Sequence, residues 1–340
     1  MNPPPIDEMY LEAEPPPRRT PIQNLIEGSL EEFRHILRSY LFFNLFFVTL
    51  IVAEVIYFFA NFTFLVHSFV LAIHLALIFA TLFAYFTFRL YLQTRKTERV
   101  IDLKNTFKES CRIETNEEEN PFTAVAQACC KLASEMHAFE YTLIACPSWL
   151  KSLTSSMEKL SCWIHWQDVH QMKEFLLKAC VEEHICFVRS EPTNLDAHAG
   201  LANAYVMLSG LYVDPRTIEG LDDERWIPPH KYNECFKSQF RATAERAIEE
   251  FKILSDYAPQ DPWVHAQLAY SYRDLQMPQE EIKAYERILE LCPDDKETFY
   301  KLGKLYFEQG QNAKGLQVYQ ILRDANYIKA ENLIHYYGAY

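Results

Sequence analysis

Cysteine and histidine side chains concentrate in one stretch of the sequence, where together they could bind a metal ion. The candidates are Cys162, His165, His170, Cys180, His184 and Cys186. Cys180 and His184 are four residues apart and would share one face of a helix. Their spacing matches no zinc module, however, and cysteine is among the residue types most often buried. We therefore assign these side chains to a packed core and expect neither a metal nor a cofactor.

The sequence also lacks the motifs of common catalytic sites. It contains no GxxxxGK[ST] or GxGxxG phosphate loop, no GxSxG nucleophile and no HExxH metal motif. A net charge of −13, from 33 basic and 46 acidic residues, argues against nucleic-acid binding. The acidic runs 117–119 and 222–224 are typical of solvated loops. We expect a binding protein and not an enzyme.

A long apolar run predicts a transmembrane helical hairpin. Residues 40–88 contain one charged side chain, Glu54, and a span needs about 20 apolar residues. Two helices at about 40–60 and 65–88, with a turn at Asn61-Phe62-Thr63, fit this length. Glu54 would face His67 or His74 across the hairpin, either as a proton-linked pair or through hydrogen bonds within the hairpin.

The distribution of basic residues predicts how the hairpin is oriented. The turn contains no Lys or Arg, whereas the two flanks contain Arg34, Arg38, Arg89, Arg95, Lys96 and Arg99. By the positive-inside rule, both termini and the domain after the hairpin are cytoplasmic. Nine cysteines without a paired spacing also suit a reducing compartment.

The segments around the hairpin differ in composition. Residues 1–21 are proline-rich and are predicted to be disordered. Residues 22–39 form an amphipathic helix that either lies on the membrane or continues into the first span. Residues 89–120 form a helix and a linker, and 121–191 form a helical, degenerate repeat-like region. The helices expected in that region are 122–146, 148–165 and 167–190.

An internal repeat with a period of 34 residues organises the end of the chain. The matched pairs are Leu268 and Leu302, Ala269 and Gly303, Tyr272 and Tyr306, Ile282 and Leu316, Tyr285 and Tyr319, and Ile288 and Leu322. This pattern resembles the tetratricopeptide repeat, a helix–turn–helix unit of that length. Glu281 departs from the family pattern, which favours a small residue there, and Tyr327 stands where it favours proline. The resemblance implies an all-α chain, with an α-solenoid over residues 192–340.

A third unit is divided by an insertion at about 210–240. Leu201 and Tyr205 fit its first helix, and Ala247 and Phe251 fit its second. We expect Trp226 of the insertion to pack against the solenoid, and the insertion to contact a partner or to cover a groove. Residues 330–337 would form a terminal capping helix.

The resemblance also implies an inner groove that is lined by the first helix of each unit. By register, its residues are Asn203, Gln267, Tyr270, Arg273, Tyr300, Lys301, Lys304 and Phe307. Aromatic side chains beside Lys and Arg suit a protein partner or an extended peptide with acidic groups. Ala199 stands where family members that clamp chaperone tails need lysine, so that partner is disfavoured.

These features together predict a membrane-anchored adaptor or scaffold that presents a cytoplasmic groove to a protein partner. The alternative is a membrane-shaping or tethering protein whose repeats self-assemble into a homo-oligomer. A two-span hairpin with cytosolic ends also resembles, in architecture, the inclusion-membrane proteins of chlamydia-like intracellular bacteria.

Overall fold

A computed structural model describes residues 21–62, 69–114, 120–144, 153–217, 226–228 and 230–338. Over these ranges the chain forms twelve α-helices and no strand, which confirms the all-α prediction. Two compact units, Met1–Asn116 and Glu117–Tyr340, divide the chain. The leader up to residue 20, Thr63 of the predicted turn and the acidic run of the insertion lie outside the described residues.

The first unit consists of two long antiparallel helices, α1 (Pro21–Ala60) and α2 (Val70–Glu114). At 1.5 Å per residue, they are about 60 and 68 Å long, roughly twice the thickness of a bilayer core. The predicted amphipathic helix 22–39 is therefore continuous with the first apolar segment. Similarly, the second apolar segment continues as a helix to Glu114.

Burial changes along these two helices. Away from the turn, the buried side chains are Ile26, Phe33, Ile36 and Leu37 of α1 and Val100, Leu103, Phe107 and Cys111 of α2. Nearer the turn, large side chains such as Phe42, Phe59 and Phe83 are exposed. Both helices are long and apolar enough to cross a membrane, and only 0% and 6% of their apolar stretches are buried. A core helix of a soluble protein would instead bury most of such a stretch.

Polar contacts between α1 and α2 fix the register of the pair. The Tyr40 hydroxyl donates a hydrogen bond to the Leu92 carbonyl at 2.5 Å. Nearer the turn, the Tyr85 hydroxyl donates to Asn44 Oδ1 at 3.1 Å. Because these polar groups are hydrogen-bonded to one another between the two helices, none of them is left without a partner next to the apolar side chains around it.

Glu54 also makes its contacts across this pair. Its Oε1 accepts a hydrogen bond from the Thr81 hydroxyl at 2.9 Å. The ring Nε2 of His74 lies 3.3 Å from the Glu54 backbone carbonyl oxygen and not beside the carboxylate, while His67 lies outside the described residues. This geometry favours hydrogen bonding within the hairpin over a proton-linked Glu–His pair.

The described residues of the second unit form a series of ten helices. They are α3 (Pro121–Glu135), α4 (Phe139–Thr142), α5 (Thr154–Ser190), α6 (Leu195–Tyr212), α7 (Glu234–Tyr257), α8 (Pro262–Asp274), α9 (Pro278–Leu291), α10 (Lys296–Glu308), α11 (Asn312–Asp324) and α12 (Ala330–Leu333). Two predictions differ from this result. A single helix, α5, replaces the separate helices expected at 148–165 and 167–190, and α3 ends at Glu135 instead of near 146.

Local sequence explains where many of these helices begin. The N-cap side chains that accept backbone hydrogen bonds are Asn120, Asn194, Asn233, Asp261 and Asp295. Such side chains satisfy amides that have no partner within the helix. Proline occupies the first turn of α3, α8 and α9, where its missing amide costs nothing.

Antiparallel pairs α6–α7, α8–α9 and α10–α11 stack in order, because α7 also contacts α8 and α9 contacts α10. Gly303 shows why one position in the first helix of a pair must be small. A β-carbon there would lie 2.8 Å from Leu333 Cδ2 and 2.9 Å from Val318 Cγ1. Helices α11 and α12 can therefore both pack closely on α10.

Candidate functional site

Seven of the eight predicted groove residues retain exposed surface, and Phe307 does not. Phe307 is 2% exposed, and its ring lies edge-on to Tyr337 with centroids 5.8 Å apart. On α10 this side chain points toward its own partner helix α11, where it lies against Gly315. The prediction that Phe307 lines a groove is therefore wrong, and Phe307 belongs to the core.

Tyr270, Arg273 and Lys301 form a cluster that connects α8 to α10. Lys301 Nζ donates a hydrogen bond to the Tyr270 hydroxyl at 3.3 Å and lies 5.3 Å from the centre of that ring. The Arg273 guanidinium carbon lies 5.4 Å from the same centre. Two cations thus share one aromatic ring, which attracts them through its quadrupole.

The charges of this cluster are only partly neutralised. Arg273 Nε lies 3.8 Å from Oδ1 of the adjacent Asp274, a loose and exposed ion pair. Among the described residues Lys301 has no direct ion pair, but its charge acts on the nearby Glu297 carboxylate and contributes to the lowered pKa of Glu297. The cluster therefore presents positive charge beside an aromatic ring.

Tyr300 and Lys304 lie on either side of Lys301 in the sequence of α10 and contact the C-terminal segment. Lys304 Nζ lies 5.0 Å from the centre of the Tyr336 ring, and Lys329 Nζ lies 5.9 Å from that of Tyr300. Lys304 also pairs with Glu308 at 3.6 Å. The sequence predicted a cap at 330–337 but not that Tyr336 and Lys329 join this surface, because these residues lie beyond the last repeat.

Asn203 and Gln267 are not part of these contacts. Asn203 is exposed on α6, and Gln267 is half-buried on α8. The contacts above run from α8 to α10 and from α10 to the C-terminal segment. The structure therefore brings together Tyr270, Arg273 and Lys301, and leaves Asn203 and Gln267 outside that cluster.

A comparison with known families concerns the same helices. Residues 262–305 match the family model of the tetratricopeptide repeat (TPR). The matched TPR stretch contains α8, α9 and most of α10, and with them the whole Tyr270–Arg273–Lys301 cluster. No curated protein matches the chain, and nothing supports the architectural resemblance to chlamydial inclusion-membrane proteins.

Glu281 is the departure from the TPR pattern within this stretch. Its side chain is buried on α9, where the family pattern has a small residue. Burial raises the pKa of the Glu281 carboxyl to about 7, and the positive charge of Arg273 opposes that rise. A carboxyl group of perturbed pKa thus lies close to the Tyr270–Arg273–Lys301 cluster.

The described residues of the insertion between α6 and α7, the helices of the first TPR-like pair, contact α4 and α5. The Trp226 carbonyl accepts hydrogen bonds from the Tyr141 hydroxyl at 3.0 Å and from Cys162 Sγ at 3.6 Å. Lys231 Nζ lies 5.6 Å from the centre of the Trp166 ring. The sequence predicted that Trp226 packs against the solenoid, but these contacts join its backbone carbonyl to helices that precede residue 192. The residue as a whole is 37% exposed.

A cavity of about 170 Å³ is lined by Ile227 and Tyr232 of the insertion and by residues of α5. His170 of α5 lines it and stacks on Trp166, with ring centroids 4.6 Å apart. Burial lowers the pKa of His170 to about 4, so the ring is neutral at pH 7. His165 and His184 are buried on the same helix. No group of three or more His, Cys, Asp or Glu side chains within the described ranges is arranged to hold a metal ion.

Proposed function

We propose that the protein is a membrane-anchored adaptor whose TPR-like helix pairs bind an extended acidic peptide of a partner protein. The observation that carries this proposal is the placement of Arg273 and Lys301 on the same Tyr270 ring. A TPR suggests a protein-interaction module in general. The basic and aromatic character of this cluster supports acidic groups in the ligand.

The chemistry of the cluster suits a peptide better than a small molecule. Aromatic and arginine side chains contribute most of the binding energy at many protein interfaces. A peptide carboxylate beside Lys301 would gain a charge-assisted hydrogen bond, while an adjacent apolar group could cover the Tyr270 ring. Lys304 and Tyr300 extend the same kind of surface along α10.

Membrane anchoring is the second part of the proposal. Its support is the exposure of the apolar stretches in α1 and α2, together with basic residues at both flanks and none in the described part of the turn. The positive-inside rule then places both termini and the TPR-like unit in the cytoplasm. The adaptor would hold its partner at the membrane surface.

A binding experiment with the full chain in nanodiscs tests the peptide ligand. The probes are a fluorescent Asp/Glu-rich peptide and a Lys/Arg-rich peptide of equal length. We expect only the acidic peptide to bind, and Lys301→Ala to weaken binding about tenfold, as loss of one charge-assisted contact would. Lys283→Ala is the matched control, because Lys283 is exposed on the second helix of the pair. Equal binding of both peptides, or equal effects of the two variants, would remove the cluster from the proposal.

A further inference from the structure

Two thiols meet where α3 packs on α5. Cys130 Sγ and Cys180 Sγ lie 2.9 Å apart, and both cysteines are free. A disulfide needs the two sulfur atoms to approach to about 2.0 Å. We propose that Cys130 and Cys180 are a thiol switch, which a hydroperoxide converts into a reversible disulfide that ties α3 to α5.

Access differs between the two cysteines. Cys130 is half-buried and lines a cavity of about 320 Å³, together with His137 and Lys173. Cys180 lies behind it and is 1% exposed. An oxidant as small as hydrogen peroxide can therefore reach Cys130 first, and Cys180 is placed to react with the oxidised sulfur.

The ionisation of the pair assigns the same roles. In the neutral pair the Cys130 thiol donates a hydrogen bond to Cys180 Sγ. When Cys130 is ionised, the Cys180 thiol can donate to the thiolate instead, and this hydrogen bond lowers the pKa of Cys130, although burial opposes the effect. The same hydrogen bond, with burial as the second cause, raises the pKa of Cys180. Because the thiolate is the nucleophile, Cys130 is the sulfur that attacks the peroxide.

The reaction then balances in two steps. The Cys130 thiolate attacks one peroxide oxygen, the O–O bond breaks, and the departing hydroxide takes a proton to become water. This leaves Cys130 as a sulfenic acid. The Cys180 sulfur next attacks the Cys130 sulfur, the S–O bond breaks, and the second hydroxide leaves as water with the Cys180 proton. In sum, two thiols and one hydrogen peroxide give one disulfide and two waters, and a thiol reductant such as dithiothreitol reverses the change.

The surrounding fold favours this pairing over further oxidation. Helix α3 packs on α5, and Cys180 Sγ lies 2.9 Å from Cys130 Sγ, so Cys180 is already beside the sulfenic sulfur when it forms. A resolving thiol at this distance competes with a second peroxide molecule. Cys186 of α5 and Cys292 provide half-buried comparisons elsewhere in the unit.

Mass spectrometry of the full chain in detergent tests the switch. The protein is treated with a small excess of hydrogen peroxide, free thiols are alkylated, and the digest is examined without reduction. We expect a peptide that links Cys130 to Cys180, with a loss of two hydrogens that dithiothreitol restores. A Cys129→Ser background distinguishes Cys130 from its neighbour.

Variants separate the roles of the two sulfurs. Cys180→Ser should trap Cys130 as the sulfenic acid, which dimedone labels, whereas Cys186→Ser and Cys292→Ser should leave the linkage unchanged. Circular dichroism checks that each variant is folded. If a variant does not fold, the Cys130–Cys180 linkage in the wild-type protein still tests the switch. If Cys180 remains open to alkylation on unfolding while Cys130 proceeds to the sulfinic acid, or if Cys130 links to another cysteine, the proposed switch does not exist.

Discussion

The ring of Phe307 occupies the space where a side chain on Gly315 would lie. A β-carbon added to Gly315 would come within 2.6 Å of Phe307 Cε1 and 2.7 Å of Cδ1. Both residues are buried, Phe307 on α10 and Gly315 on the helix that pairs with it. This contact sets how closely α10 and α11 approach, and it explains why an aromatic residue of the predicted groove face lies in the core.

Replacing Gly315 by alanine should therefore destabilise the second unit. The ring of Phe307 is held on all sides and has to shift, which costs about 1–3 kcal/mol of unfolding free energy in an overpacked core. Urea unfolding followed by tryptophan fluorescence measures the change. Gly210→Ala is the control, because a β-carbon there meets nothing within 4 Å. We expect that variant to be neutral or up to about 1 kcal/mol more stable, and equal losses in both variants would contradict the packing explanation.

The 34-residue period predicted much of the TPR-like core, because register alone determines which face of each helix is covered. Its limit appears at the end of the repeat array. Ile282 is 4% exposed, whereas its counterpart Leu316 is 40% exposed. A full helix pair packs beside Ile282, whereas within the described residues α11 is followed by the short α12 and a 3-10 turn. Periodicity assigns the two positions the same role, whichever element packs beside them.

Contacts between residues on distant helices could not be predicted from the sequence for a different reason. The approach of His184 to Gly200, where a β-carbon would lie 2.6 Å from the imidazole Cε1, depends on how α5 and α6 cross. The meeting of Cys130 with Cys180 likewise depends on the pairing of α3 with α5, a region in which the repeat pattern is too degenerate to give the register of the two helices. Tyr270, Arg273 and Lys301 were among the predicted groove residues because they lie on the first helices of two matched units, but their mutual contacts were not predicted. Register also misled at one pair: Arg273 and Phe307 are 34 residues apart, yet Arg273 is exposed and Phe307 is buried.

Glu281 should make the stability of the second unit depend on pH. A carboxyl in an unfolded chain titrates near about 4.3, and burial raises the pKa of Glu281 to about 7 in the folded state. Between these values the folded chain holds a proton that the unfolded chain has released, so this group lowers stability as pH rises from about 4.5 to 7.

Glu281→Gln removes that penalty and keeps the shape of the side chain. We expect the variant to be about 1–3 kcal/mol more stable than the parent at pH 8, with the advantage disappearing near pH 4.5. Urea unfolding at a series of pH values measures the difference. Glu290→Gln, an exposed position on the same helix, should show no such trend. An advantage that is constant with pH would argue for a packing effect instead.

His170 should contribute a pH dependence of the opposite sign. Burial lowers the pKa of His170 to about 4, compared with about 6.5 in an unfolded chain. As pH falls from about 7 to 4, the unfolded chain takes up a proton that the folded chain excludes, so stability is lost over this range. The ring lies among Trp166, Tyr232 and Phe236, so His170→Phe suits its surroundings. The variant should lose less stability than the parent between pH 7 and 5, and parallel curves for the two proteins would contradict this origin.

The proposed orientation of the hairpin predicts which cysteines a membrane-impermeant maleimide can reach in intact cells. Cys235 is exposed on α7 of the second unit, so under the proposal it is labelled only after the membrane is permeabilised. Asn61 lies at the end of the hairpin opposite the termini and is half-exposed. Asn61→Cys should therefore be labelled without permeabilisation, which also shows that the reagent reaches the outer surface. Labelling of Cys235 in intact cells would reverse the orientation. Labelling of both sites only after permeabilisation would mean that the apolar helices do not cross the cell-surface membrane, and repeating the experiment on sealed internal membranes would then test the span.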